Sequence, residues 1–185
     1  MVRFLRLDPG ACFLGALCLY LLPFRWVLGA LIAAAVHEAC HLLVLKLTGV
    51  PVYSVTLGSM GAKIEMGPLE PGQEILCALA GPAGSFLMLL LCNVFPEAAL
   101  CGLVQGVFNL LPVYPMDGGR VLQCLVGERR SRQIEKMVIL TLLLSGVYVG
   151  MTLNLGIWTC FPGIVLGAKH CNRKFPCNET KKAVQ

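Results

Sequence analysis

Charge is what this sequence has least of. Asp, Glu, Lys and Arg make up only 14% of its 185 residues, against about a quarter in an ordinary soluble domain. Hydrophobic residues account for 57%, and mean hydropathy is +0.76. A chain this small buries only part of the surface that its unfolded form exposes, so a soluble core cannot absorb so much apolar surface. A soluble globular domain is thereby excluded, and the chain reads as an integral membrane protein. Ten cysteines contain no CxxC pair. They lie mostly in apolar runs, which points to small core residues rather than a disulfide framework. No small-residue cleavage site follows the apolar run after Arg3 and Arg6, so the first apolar stretch is expected to be retained.

Net charge is +5, concentrated in "GERRSRQIEK" and the tail "KHCNRKFPCNETKK". These clusters flank apolar spans and carry no interleaved aromatics for base stacking, which argues for membrane topology and against nucleic-acid binding. His170, Cys171 and Cys177 in the tail could hold a metal, but their spacing is unlike that of common zinc sites. Two reduced thiols in a polar tail are the expected state.

A membrane-crossing helix needs roughly 20 apolar residues, about 17 at the least. By that measure the expectation is an all-α polytopic membrane protein of about six transmembrane helices, with a small β-hairpin between the second and third. The spans are Ala11–Leu22, Trp26 to about Leu47, Ile75–Phe95, Ala98 to about Leu111, Met137–Leu153 and Gly156–Gly167. A tight turn at Pro23 separates the first two, and Pro82 is expected to break the third locally. The segment from Val52 to Met66 is rich in β-branched residues and interrupted by glycines, which predicts the hairpin. Its open edge cannot face lipid with unsatisfied backbone groups. A basic loop is expected between the fourth and fifth spans. Domain organisation follows as one membrane-embedded unit, 1–170, and a short basic tail, 171–185. With the N-terminus cytosolic, six spans leave only Arg25 outside, so both termini are expected in the cytosol.

Within the second span stands "HEACH". Residues four apart share a helix face and lie roughly 6 Å apart along the axis, so His37 and His41 can reach one metal ion. Glu38 then points beside the metal, where it can take a proton from metal-held water and return it to a leaving amine. Hydrogen-bonded polar residues inside a bundle are the bland alternative. Each intramembrane ionisable group costs around 2.5 to 3.5 kcal/mol, however, so three together need a reason. Catalytic zinc usually takes three protein ligands. Asp117 in "FNLLPVYPMDGGR" is the candidate third, with capping of a helix begun at Gly118 as its other role.

These residues resemble the site-2 intramembrane metalloproteases. That family pairs H-E-x-x-H with a later N-x-x-P-x-x-x-x-D-G, and this chain has His37, Glu38 and His41, then Asn109, Pro112, Asp117 and Gly118. The match covers most of Val27 to Arg120 and looks closest to the compact six-span branch of the stage IV sporulation protein FB type. Met116 stands where Leu is common, and Ser85 of "AGPAGS" where many members have Asn. No segment is long and polar enough for a PDZ-like insertion or a CBS domain. The resemblance implies Zn2+ held by His37, His41 and Asp117, with Glu38 catalytic. Asn109 could serve the developing oxyanion or hold the substrate backbone. It implies hydrolysis of a peptide bond in a membrane-associated protein near the cytosolic side of a bacterial cell membrane. Release of a sigma factor and a regulatory membrane protein as partner go with that branch. A metal-binding membrane scaffold or a transporter is the alternative; a transport path would need ionisable groups that the fifth and sixth spans lack.

Overall fold

The computed structural model describes residues 5–58, 61–153 and 161–171. Helix α1 (Pro9–Leu21) ends at the expected turn, and α2 (Phe24–Leu47) starts directly after Pro23. At its far end Thr48 Oγ1 donates to the Val44 carbonyl at 2.9 Å, and Gly49 takes a positive φ of 73° to leave the helix.

Strands β2 (Val52–Gly58) and β3 (Gly61–Met66) pair antiparallel, as the alternation predicts. The hairpin is not alone. Strand β1 (Leu5–Leu7) adds to β2 in parallel, so the sheet has three strands in the order β1-β2-β3. Three residues of Leu-Arg-Leu carry too little pattern to announce a strand. Their partner is remote in sequence, and pairing covers one open edge of the hairpin.

Helix α3 (Pro71–Leu87) begins earlier than hydropathy suggests, because Glu70 and Gln73 form a capping box ahead of the apolar run. It also runs through Pro82 without a break. Proline removes one backbone donor, and here its ring is buried against neighbouring helices that hold the turn in place. A 3-10 turn, Met88–Leu91, extends the helix before α4 (Pro96–Asn109). The expected basic loop is helical instead: α5 (Asp117–Val126) and α6 (Glu128–Thr152) meet at Gly127, whose φ is 79°. The Arg-rich segment is the polar start of α6, with Arg132 bonded to Glu128 at 2.8 Å, a stabilising i,i+4 pair. Helix α7 (Phe161–Cys171) closes the described chain. The expected sixth span begins outside the described residues, as does most of the tail including Cys177.

Among the described residues, three helices have the length and hydropathy to cross a membrane: α2, α3 with its 3-10 extension, and α6. Helices α1, α4 and α7, at 13, 14 and 11 residues, are shorter than the roughly 20-residue crossing length. The count of six is therefore not reached by length. Large apolar side chains lie outward, among them Leu90, Leu144 and Met151, all more than 60% exposed. An exterior of that kind suits lipid, and the chain is an integral membrane protein.

Helices α2, α3 and α4 pack through small residues that bring backbones together. A Cβ on Gly29 would stand 2.9 Å from the Ala98 nitrogen, and one on Gly102 would stand 2.7 Å from the Ser85 carbonyl oxygen. Helix α3 runs antiparallel to both neighbours, so α2 and α4 start side by side, where Arg25 pairs with Glu97 at 3.4 Å. No disulfide joins Cys12, Cys18, Cys40, Cys77, Cys92, Cys101 and Cys124, as expected, but of these only Cys77 is a buried core residue; Cys12 and Cys92 are exposed and the other four partly exposed.

Candidate metal centre

The HEACH turn lies in the C-terminal half of α2, and its two histidines face inward with 3% and 6% of their surface exposed. Their Nε2 atoms converge to 3.2 Å, which the shared face of the four-residue spacing allows. Asp117 comes from elsewhere. It is the first residue of α5, delivered by the 110–116 loop, and its Oδ2 lies 3.2 Å from His37 Nε2 and 3.4 Å from His41 Nε2. One donor atom from each of the three residues falls within a 4.8 Å cluster. Asp117 thus opens α5 rather than sitting just before a helix begun at Gly118.

The far side of each imidazole is also held. His41 Nδ1 meets the Cys77 carbonyl at 2.8 Å. A carbonyl only accepts, so the proton is on Nδ1 and a neutral ring presents a lone pair at Nε2. His37 Nδ1 pairs with Ser85 Oγ at 2.8 Å. Two imidazole nitrogens and a carboxylate oxygen thus converge, and Asp117 Oδ2 is buried without a hydrogen-bond partner. Lone pairs gathered in a buried site repel unless a cation lies among them. Two nitrogens and one oxygen, with a fourth position left open, is a donor set that suits catalytic zinc. The residues fit the metal.

Helix α3 shapes this site, and of its contributing residues only Ser85 stands out in the sequence. Cys77, Gly81 and Ser85 lie four apart on one stripe facing the histidines. A Cβ on Gly81 would overlap His41 Nε2 and stand 2.7 Å from His37 Nε2, and one on Gly84 would overlap Cys40 Sγ. The available signal was that fourfold spacing within "CALAGPAGS", which puts a small or polar residue at each turn of one face. Arg120, one turn into α5, reaches Glu74 of α3 at 3.6 Å and ties the Asp117 helix to the same element.

Residues 88–153 match the model of peptidase family M50. A Mycobacterium tuberculosis protein named as zinc metalloprotease Rip3 is 30% identical over 175 residues, covering 75% of this chain and 44% of that protein. A Synechocystis protein named as zinc metalloprotease sll0528 is 31% identical over 155 residues, covering 75% and 39%. Its segment 88–153 thus carries the pattern of peptidase family M50. A solved site-2 protease from Methanocaldococcus jannaschii shares its fold, with a TM-score of 0.66 over 96% of both chains at 22% identity. The chain spans less than half the length of the curated relatives it matches.

Glu38 and Asn109, the two remaining candidate site residues, differ in what surrounds them. Glu38 is half-buried beside the histidines, and its Oε1 accepts a long bond, 3.4 Å, from the Ala62 N–H at the start of β3. The hairpin therefore reaches the HEACH turn, a contact that nothing in the spacing of the two segments announces. Asn109 ends α4, and its side-chain amide donates to the Gln105 carbonyl at 3.1 Å. That bond uses one of its two amide hydrogens. His170 lies apart from this centre, on α7, where it pairs with Glu135 at 3.1 Å.

Proposed function

We propose that this chain is an intramembrane zinc endopeptidase that hydrolyses a peptide bond in a membrane-associated protein near the cytosolic side. The observation that carries the reading is the buried, unpartnered Asp117 Oδ2 aimed at the Nε2 atoms of His37 and His41, with Glu38 beside them. His37, His41 and Asp117 would hold the ion. When bound, zinc supplies a Lewis acid that lowers the pKa of water to about 7.

The chain's own groups supply the remaining chemistry. Glu38 takes a proton from the attacking water and returns it to the departing amide nitrogen. Asn109, with one amide hydrogen uncommitted, steadies the substrate backbone or the developing oxyanion. The Ala62 N–H turns toward Glu38, away from β2, and groups alternate along an antiparallel strand. The Ile64 N–H and carbonyl therefore lie on that same outer edge. An unwound substrate could add there as a fourth strand and bring one peptide bond to the metal.

The reading extends to six crossings with both termini cytosolic, to a protease unit over 1–170 with a basic tail over 171–185, and to a bacterial cell membrane. Release of a soluble factor, of the sigma-factor type, is the outcome that fits a cytosolic-side cut. The test uses the purified chain in lipid with a membrane-tethered test substrate. Cleavage should stop with a strong chelator and resume with zinc, and Glu38→Gln should keep zinc and lose turnover by at least about a hundredfold. Zinc bound in full with no cleavage of any tethered substrate would favour the scaffold or transporter alternative.

A further inference from the structure

A second ionisable cluster is buried outside the metal centre. Glu135 and Ser131 of α6 are both 0% exposed, although charge is scarce in this chain. Ser131 Oγ donates to Glu135 Oε1 at 2.8 Å, and His170 Nδ1 of α7 stands 3.1 Å from Glu135 Oε2. A buried polar pair of this kind is weak evidence for stability, and in some proteins it serves to fix one arrangement over others. What matters is what this pair fixes.

The pair is one rung of an antiparallel ladder between α6 and α7. One turn along α6 from Glu135 is Ile139, and one turn back along α7 from His170 is Leu166. Those two close on Val113 as a buried cluster. A further turn on, a Cβ at Gly163 would meet the Leu143 side chain at 2.7 Å. Val113 belongs to the loop that delivers Asp117, and it is 0% exposed. Its carbonyl oxygen would stand 2.7 Å from a Cβ on Gly119, and its main chain receives the Met116 N–H at 2.9 Å. The path runs from Glu135 and His170, through Ile139 and Leu166, to Val113 and the first turn of α5. Its first step is one turn along each helix, and from Ile139 and Leu166 onward it is made of packed contacts.

We infer that Glu135 and His170 are positioning residues for the metal centre, clamping α7 on α6 so that the Val113 loop holds Asp117 in reach of His37 and His41. The inference rests on the metal reading above. The device acts through Asp117 alone, since α2 and α3 place the histidines independently. It predicts a signature that loss of stability does not share.

The test measures zinc affinity by chelator competition, and the visible spectrum of the Co2+-loaded protein, in the full chain in lipid. Glu135→Gln and His170→Ala should each weaken zinc binding by up to about tenfold and alter the cobalt spectrum. The double variant should be no worse than either single one. Ser131→Ala should act in the same direction more mildly and guards against a Glu135→Gln protein that does not fold. In an Asp117→Ala background, Glu135→Gln should leave the residual affinity unchanged. An equal loss in both backgrounds would overturn the inference, as would wild-type affinity and spectrum in Glu135→Gln. If instead His37→Ala binds zinc as the wild type does, the metal reading itself fails, and the positioning role with it.

Discussion

Ser85 Oγ stands 2.8 Å from His37 Nδ1, so α3 holds the ring from behind while its Nε2 faces Asp117 across the site. A hydroxyl both accepts and donates, and it can accept a hydrogen bond from Nδ1–H and so leave Nε2 free for the metal. Partners of this kind orient metal-binding imidazoles. Ser85→Ala should therefore lower zinc affinity about tenfold with little change in folding. Chelator competition measures it, and an unchanged affinity would assign Ser85 to helix packing only.

Gly81 makes a sharper demand. Any Cβ there overlaps His41 Nε2, whereas a Cβ on Gly72 of the same helix has nothing within 4 Å. Gly81→Ala should abolish stoichiometric zinc binding, and Gly72→Ala should leave it intact. Metal content of the two purified proteins decides the matter. Full occupancy in Gly81→Ala would mean that α3 can withdraw from α2 more freely than its close contacts suggest.

Ala62 separates the hairpin's structural role from its proposed catalytic one. Its N–H faces Glu38 rather than β2, so proline at this position removes no ladder hydrogen bond. Ala62→Pro should keep zinc and fold yet cut turnover about tenfold or more, because an outer-edge donor beside Glu38 is lost. Turnover equal to that of the wild type would place the substrate away from the β3 edge.

Topology is open to a direct measurement. The Lys and Arg distribution predicts that reporters fused after Arg130 and after Lys182 face the cytosol, and that one near Arg25 faces the opposite side. Three described helices reach crossing length. The two cytosolic signals thus also ask whether short helices such as α1 and α4 complete their crossings. A reporter after Lys182 on the far side would reduce the number of crossings to an odd one.

Much of the site could be read from residue spacing. A helix repeats its face every three to four residues, so His37 and His41 had to share one side wherever α2 packed, and the scarcity of charge made each ionisable group in an apolar run informative. The hairpin was legible for a similar reason, since β-branched alternation is local. Pro82 misled because a proline's cost depends on its neighbours. The basic segment around Arg129 reads as a loop by its polarity, yet that polarity marks the solvent-facing start of a long helix.

What the sequence by itself determined is therefore whatever short-range geometry enforces: membrane class, the paired histidines with Glu38 between them, and the candidate aspartate. The rest only the tertiary structure decided. Cys77, Gly81 and Ser85 face the histidines because α3 returns antiparallel to α2, and Asp117 meets them because its loop packs beneath α6 and α7. Ala62 meets Glu38 because the hairpin folds back over α2. Each of these contacts depends on the relative placement of elements distant in sequence, which is set by how the whole molecule packs rather than by any local repeat.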